Sequence, residues 1–200
     1  MTTQAARKWR NNPDALATWA NAITVGRVLL SPTLFLIITG KKGSWGALAL
    51  WFVLCSSDGL DGYVARRHGT TRSGAFLDPL ADKILVLGAM YTLVGEKVFS
   101  LLPVAIIAAR ELIISLYRSV AGTHGVSVPA SKAAKVKTFT QQMAVGIALC
   151  PLTALSYTWL WRSVLWLAVV LTVVSGLQYL VRARATSAAA TRAGAAAGRG

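Results

Sequence analysis

The sequence predicts an all-α, polytopic membrane protein with six transmembrane helices and a short N-terminal interfacial helix. Three observations carry that prediction. Of 200 residues, 54% are hydrophobic and 14% charged, with a mean hydropathy of +0.54, a balance foreign to ordinary soluble domains. The apolar residues collect into six runs, each near the roughly 20 residues that a helix needs to cross a hydrocarbon core about 30 Å thick. The third observation is charge: 21 Lys and Arg against 7 Asp and Glu give +14. These cations lie between apolar runs and not on a polar domain, so the partner they suit is an anionic lipid surface, and nucleic acid is not expected.

Taken in order, the six runs cover residues 21–39, 44–65, 76–94, 100–121, 138–158 and 163–181. Charge, Gly or Pro bounds each of them. Before the first run lies a segment from Pro13 to Trp19, with Asp14 in its first turn and Trp19 as an amphipathic anchor. It reads as the interfacial helix. Arg7, Lys8 and Arg10 ahead of an apolar stretch imitate a secretory signal, but Arg27 interrupts the stretch and no small-residue cleavage site follows, so the segment is kept as mature protein. Three parts result: an N-terminal cytoplasmic and interfacial segment over 1–20, a six-helix domain over 21–182, and a flexible Ala/Gly-rich cytoplasmic tail over 183–200. No solenoid repeat and no inverted repeat is evident.

Orientation follows from where the cations fall. The N-terminus, the second and fourth loops and the tail hold most of them, while Lys41, Lys42, Lys97 and Arg162 lie on the other side, and Arg27, Lys83 and Arg110 fall inside spans. The positive-inside rule then places both termini and the second and fourth loops in the cytoplasm, with which an even number of spans agrees. A multi-pass protein of the cell membrane is the expectation.

Four of the seven carboxylates, Asp58, Asp61, Asp78 and Asp82, fall within 25 residues. Asp58 and Asp61 are three apart near the end of the second run, and Asp78 and Asp82 four apart near the start of the third. Those spacings put each pair on one helix face, and a short loop makes the two helices antiparallel neighbours. Four like charges gathered near a bilayer demand neutralisation. The all-oxygen donor set of the four acids points to Mg²⁺, Mn²⁺ or Ca²⁺ and away from zinc. Two ions bridged by carboxylates are suited to clamping a phosphoryl group and its leaving oxygen, so phosphoryl-type transfer is the chemistry suggested. Gly59, Gly62 and Ala65 beside these acids remove side chains where a nucleotide or lipid headgroup would approach. Small residues also merely pack helices together, and for Gly59 that reading stands on equal terms. Gly74 precedes the third helix and Pro79 sits in its first turn, where proline is tolerated.

As one string, Asp58-x2-Asp61-Gly62-x2-Ala65-Arg66-x7-Gly74-x3-Asp78-x3-Asp82 resembles the signature of the CDP-alcohol phosphatidyltransferase family, and residues 20–182 resemble its six-helix core. The resemblance implies an integral membrane enzyme that moves the phosphatidyl group of a CDP-linked lipid such as CDP-diacylglycerol to an alcohol, releasing CMP. It implies that the four aspartates hold two divalent ions, Mg²⁺ or Mn²⁺, and that Asp82 also serves as general base. By the same resemblance Asn21 and Thr24 form the N-terminal nucleotide contact, and Gly62, Ala65, Arg66, Thr71 and Gly74 complete the CDP-lipid site. A homodimer is implied as well. Arg27, inside an apolar run, needs an anion, either a substrate phosphate or one of the aspartates.

The acceptor is read from a second basic group. Arg110-Glu111, Arg118 and the stretch Lys135-Val136-Lys137 to Gln141 resemble the branch of the family that takes glycerol 3-phosphate. A cationic pocket formed by Arg110, Arg118, Lys135 and Lys137 suits a phosphate monoester, which a neutral alcohol would not require. Inositol 1-phosphate and phosphatidylglycerol are the rival acceptors. Positive-inside topology alone explains Lys132 and Arg118, and an internal Arg110–Glu111 ion pair is an alternative account of those two. Arg182, at the end of the last run, is either an acceptor contact or an anchor.

The remaining residues carry less. Cys55 and Cys150, in apolar runs, are expected to be free thiols. His68 and His124 are not expected to be ligands, and Trp19, Trp45, Trp159 and Trp161 fit an interfacial belt. Outside this enzymology, intramembrane aspartates also mark cation transporters, but these acids sit near one membrane face beside Gly and Arg. A lipid-binding scaffold without activity is the other rival, against which all four acids being present argues.

Overall fold

A computed structural model of the chain describes the backbone of residues 19–68, 72–123 and 132–197, and the side chains of residues 23–57, 80–117, 136–179 and 181. Among the described residues all regular structure is helical: α1 Trp19–Ile37, α2 Trp45–His68, α3 Arg72–Gly95, α4 Leu101–Thr123, α5 Lys132–Leu149, the single turn α6 Pro151–Ala154, and α7 Thr158–Ala197. Each of the six apolar runs corresponds to a helix. The interfacial helix expected from Pro13 lies outside the described residues.

The first helix is the element on which the carboxylate-bearing helices lean, since α2 and α3 both pack against α1. Sequence proximity alone suggested α2 on α3 and gave no hint of this wedge. It depends on Gly88 of α3: a Cβ there would lie 2.3 Å from Cζ of Phe35, so the ring of Phe35 occupies the space of the missing side chain. Gly88→Ala is therefore expected to cost about 1–3 kcal/mol through overpacking, read as a lower thermal midpoint in detergent. Phe35→Leu in the same chain should recover most of the loss, and a midpoint unchanged by Gly88→Ala would show that the α1–α3 contact yields freely.

Leu34, Trp51, Leu85, Met90, Ile107, Val145 and Leu165 build one core shared by α1 to α5 and α7. The Trp51 indole N–H donates to the carbonyl of Gln142 at 3.3 Å, tying α2 to α5. On the second side of the bundle, α7 packs along α5 and α4. Outside the core, large apolar side chains face outward, among them Leu36 at 79% exposure and Leu116 at 69%. One stretch, Thr158–Tyr179, is by itself long and apolar enough to cross a bilayer, with shorter apolar stretches at Ile23–Ile37 and Trp45–Ser57. Among the described residues no other helix meets that criterion, and several carry charged side chain types: Lys83 in α3, Arg110 and Glu111 in α4, Lys137 in α5.

Several boundaries differ from expectation for physical reasons. The fifth run is broken because Pro151 cannot continue a helix: α5 stops at Leu149, and the carbonyl of Cys150 accepts from the Ala154 N–H at 2.9 Å to start α6. The third helix begins at Arg72, so Gly74 and Pro79 lie within it and not before it or in its first turn. Helix α7 continues to Ala197, where a flexible tail was expected; alanine, the best helix former, dominates that stretch. Trp161 does not join an interfacial belt: it is 5% exposed, with its ring 5.4 Å from that of Phe99. Trp45 and Trp159 are exposed as expected, and both cysteines are free.

At one end of the bundle the α1–α2 link is fastened to its neighbours. Gly43 has φ +68°, a left-handed conformation that favours glycine, and a Cβ there would stand 2.6 Å from the carbonyl oxygen of Leu149. That carbonyl accepts from the Ser44 N–H at 2.9 Å. The Gly40 N–H donates to Oε2 of Glu96 at 2.5 Å.

Candidate active site

Helix α2 carries Asp58, Asp61, Gly62, Ala65 and Arg66 on continuous helical backbone, and α3 carries Gly74, Asp78 and Asp82 likewise. The three- and four-residue spacings of the acids thus fall on unbroken helix, as their pattern predicts. The side chains of Asn21, Asp58, Asp61, Gly62, Ala65, Arg66, Gly74, Asp78, Arg118 and Lys135 lie outside the described set, as does Thr71 altogether. Thr24, Asp82, Arg110 and Lys137 are described, and two polar clusters surround them.

The first cluster belongs to α1 and the adjoining turn of α2. Thr24 and Arg27, three residues apart, are 1% and 2% exposed. The Arg27 Nε donates to Oγ of Ser57 at 3.2 Å, and that hydroxyl donates to the carbonyl of Leu54 at 2.7 Å. Ser57 directly precedes Asp58, so a buried guanidinium from α1 reaches the turn of α2 where the acidic motif begins. Ser31 donates to the carbonyl of Arg27 at 2.8 Å, one residue before Pro32, which brings no N–H of its own to the helix.

The second cluster lies between α3, α4, α5 and α7. Oε1 of Glu111 accepts from Nη1 of Arg110 at 3.1 Å and from the ammonium of Lys137. Arg110 Nη2 donates to Oγ of Ser175 at 3.0 Å, and Ser175 donates to the carbonyl of Thr172. Gln141 Nε2 donates to the Thr172 hydroxyl at 3.0 Å. On the α3 side, Lys83 donates to Ser115, whose hydroxyl donates to the carbonyl of Glu111 at 2.6 Å. Asp82 lies within electrostatic reach of Lys137. The internal Arg110–Glu111 pair entertained from sequence is present, but Glu111 serves two cations at once.

That sharing sets the electrostatics. Three cationic side chains, Lys83, Arg110 and Lys137, meet in a half-buried to buried space in which Glu111 is the carboxylate contacted by two of them. Glu111 serves two of these cations and Asp82 lies within electrostatic reach of Lys137, so a phosphate entering here would meet several N–H donors in a poorly hydrated site, where such contacts are strong.

Lys83, Ser115, Thr172 and Ser175 were not among the sequence candidates. The signal was available: Glu111 and Ser115, Lys137 and Gln141, and Thr172 and Ser175 are polar pairs spaced three or four apart in otherwise apolar helices, which marks one inward face. Among the described residues no group of three or more His, Cys, Asp or Glu stands together; the side chains of three of the four motif aspartates are outside that search.

Comparison with known proteins shows the family. The family model for CDP-alcohol phosphatidyltransferase matches residues 17–174, from just before α1 into the first half of α7, and so takes in both clusters except Ser175. A protein of Escherichia coli (strain K12) named CDP-diacylglycerol–glycerol-3-phosphate 3-phosphatidyltransferase is 39% identical over 182 residues, covering 82% of this chain and 93% of its own. A Bacillus subtilis (strain 168) protein of the same name is 36% identical over 80% of this chain and 91% of its own. A Mycobacterium tuberculosis (strain H37Rv) protein named probable phosphatidylglycerophosphate synthase is 34% identical, covering 84% of this chain and 82% of its own. With the acidic motif on two consecutive helices and a family match spanning three quarters of its length, the chain belongs to the CDP-alcohol phosphatidyltransferase family.

Proposed function

We propose that the chain is a membrane-embedded phosphatidylglycerophosphate synthase, transferring the phosphatidyl group of CDP-diacylglycerol to glycerol 3-phosphate with release of CMP. The observation that carries the choice of acceptor is the meeting of Arg110 and Lys137 on Glu111: a guanidinium and an ammonium grouped in this way suit a phosphate monoester on the acceptor. The names of the relatives point to the same substrates. Six spans with both termini and the site in the cytoplasm, and a homodimer, complete the reading. Outward-facing apolar side chains and the Thr158–Tyr179 stretch support the bilayer.

The donor set fits divalent cations, since the motif acids Asp58, Asp61, Asp78 and Asp82 are carboxylates alone on helical backbone. These four residues would hold two Mg²⁺ or Mn²⁺ ions, which when bound supply electrostatic stabilisation of charge on the transferring phosphate and on departing CMP. The chain's own groups do the rest. Asn21, Thr24, Gly62, Ala65, Arg66, Thr71 and Gly74 seat the CDP-lipid, with Arg27 on a phosphate or on an adjacent acid. Arg110, Arg118, Lys135 and Lys137 hold the phosphate of the acceptor. Asp82 takes the proton of the acceptor hydroxyl as its oxygen bonds to the phosphorus that carries diacylglycerol. The bond from that phosphorus to the oxygen of CMP breaks.

The test is CMP release from CDP-diacylglycerol by purified protein in detergent with Mg²⁺ or Mn²⁺, comparing glycerol 3-phosphate, inositol 1-phosphate and phosphatidylglycerol. Release that depends on glycerol 3-phosphate is expected; dependence on another acceptor would keep the chemistry and move the branch, and no release with any would revive the transporter or scaffold readings. Arg110→Ala and Lys135→Ala should raise the KM for glycerol 3-phosphate at least tenfold while moving that for CDP-diacylglycerol about twofold or less. Equal effects on both would remove these residues from the acceptor site.

A further inference from the structure

We infer that Ser175 and Gly176 of α7 are positioning residues that aim the Arg110 guanidinium, and so set the affinity for the phosphorylated acceptor. The inference rests on the acceptor reading of Arg110 given above. Three features meet at this point of α7. Ser175, 3% exposed, receives Nη2 of Arg110 at 3.0 Å and passes its own proton to the carbonyl of Thr172 at 3.0 Å, so its hydroxyl is fixed as an acceptor for the arginine. Gly176 leaves room for the arginine stem: a Cβ there would lie 3.2 Å from Nε and 3.3 Å from Cγ of Arg110. The Arg110 Nε is buried without a hydrogen-bond partner among the described residues.

A buried donor without a partner is costly, and the arginine accepts that cost while Nη1 and Nη2 are both engaged. Its orientation is therefore imposed by what surrounds it and not chosen by its own best hydrogen bonding. On one side Glu111 draws Nη1; on the other Ser175 draws Nη2; beneath, the absent side chain of Gly176 lets the stem lie against the α7 backbone. The guanidinium is planar and rigid, so a displacement of the stem by a few tenths of an ångström redirects all its N–H vectors together. Any side chain at 176 pushes that fork, and loss of the 175 hydroxyl releases one of its prongs. A residue of α7 thus governs an acceptor contact borne by α4.

The experiment uses full-length protein in detergent and compares Gly176→Ala, Ser175→Ala and Arg110→Ala with the doubles Gly176→Ala/Arg110→Ala and Ser175→Ala/Arg110→Ala. Both single α7 variants are expected to raise the KM for glycerol 3-phosphate, about tenfold for Gly176→Ala and about three- to tenfold for Ser175→Ala, with kcat and the KM for CDP-diacylglycerol within about twofold. In the Arg110→Ala background neither should add a further increase, because the group they aim is gone. Ser175→Thr, which keeps the hydroxyl, should stay within about twofold of the parent. Effects that multiply with Arg110→Ala, or that fall equally on both substrates, would overturn the inference by showing that these residues act through packing alone. Should Gly176→Ala fail to fold, Ser175→Ala and its double decide the matter by the same criterion. If Arg110→Ala itself leaves the glycerol 3-phosphate KM unchanged, the acceptor reading fails first and this inference with it.

Discussion

Asp82→Asn is expected to lower the rate of phosphatidyl transfer by about a thousandfold or more, while the protein still purifies and melts like the parent. The substitution keeps the shape of the side chain but removes the negative charge and the basic oxygen that the proposed mechanism assigns to Asp82. Loss of a positioned base alone is worth roughly 10²–10⁴ in rate, and a weakened metal site adds to that. Asp82 sits beside Lys83, whose contact to Ser115 ties this turn of α3 to α4, so the amide stays anchored. Chelation with EDTA should abolish activity in the parent, and added Mg²⁺ or Mn²⁺ should restore it. Substantial transfer by the Asn variant, or activity insensitive to chelation, would overturn the assignment of base and metals.

The largest expected effect on stability belongs to Glu111→Gln. Glu111 is 9% exposed and Lys137 4%, and the carboxylate is shared with Arg110 at 3.1 Å. Removing it leaves Arg110 and Lys137 poorly solvated and facing each other without the carboxylate that touches both. Breaking a buried pair on one side costs about 3–5 kcal/mol, which for a chain of this size lowers the midpoint by roughly 6–20 °C. The companion Glu111→Gln/Lys137→Met should recover much of that loss, because it removes one of the stranded charges. Activity should not return with the stability, since Lys137 is one of the residues proposed to hold the acceptor phosphate. A midpoint unaffected by the single substitution would mean that water reaches this cluster freely.

The helices and the acidic motif were legible because the sequence states them in local terms. Apolar runs announce helices wherever they pack, and Asp58 to Asp82 is a contiguous string whose spacing has a direct reading on helical backbone. What escaped was relational. That α1 wedges against both α2 and α3 depends on Gly88 facing Phe35, a contact across 53 positions of chain that no local pattern encodes. Glu111 being divided between Arg110 and Lys137, rather than paired with its neighbour alone, required α4 and α5 both to pack against α7. Ser175 and Gly176 looked like ordinary small residues of an apolar helix until the arginine of another helix was seen lying on them. Boundaries erred where a local signal was underweighted: Pro151 ended α5 early, and the alanines after 183 continued α7.

The fastening at Gly43 has a mechanical consequence. The carbonyl of Leu149 and the Ser44 N–H hold the start of α2 to the end of α5, whereas Asp58 and Asp61 on α2 and Lys137 on α5 lie toward the opposite ends of those helices. Two rods pinned at one tip and tied again where Trp51 meets Gln142 can spread only beyond the second tie, like tongs. From Trp51 to the end of α2 at His68 is about 26 Å at the standard rise, so a tilt of about 5° there separates the free tips by about 2 Å. Spin labels on the two helices should accordingly show their distance changes growing with distance from Gly43 when a CDP-lipid enters and CMP leaves.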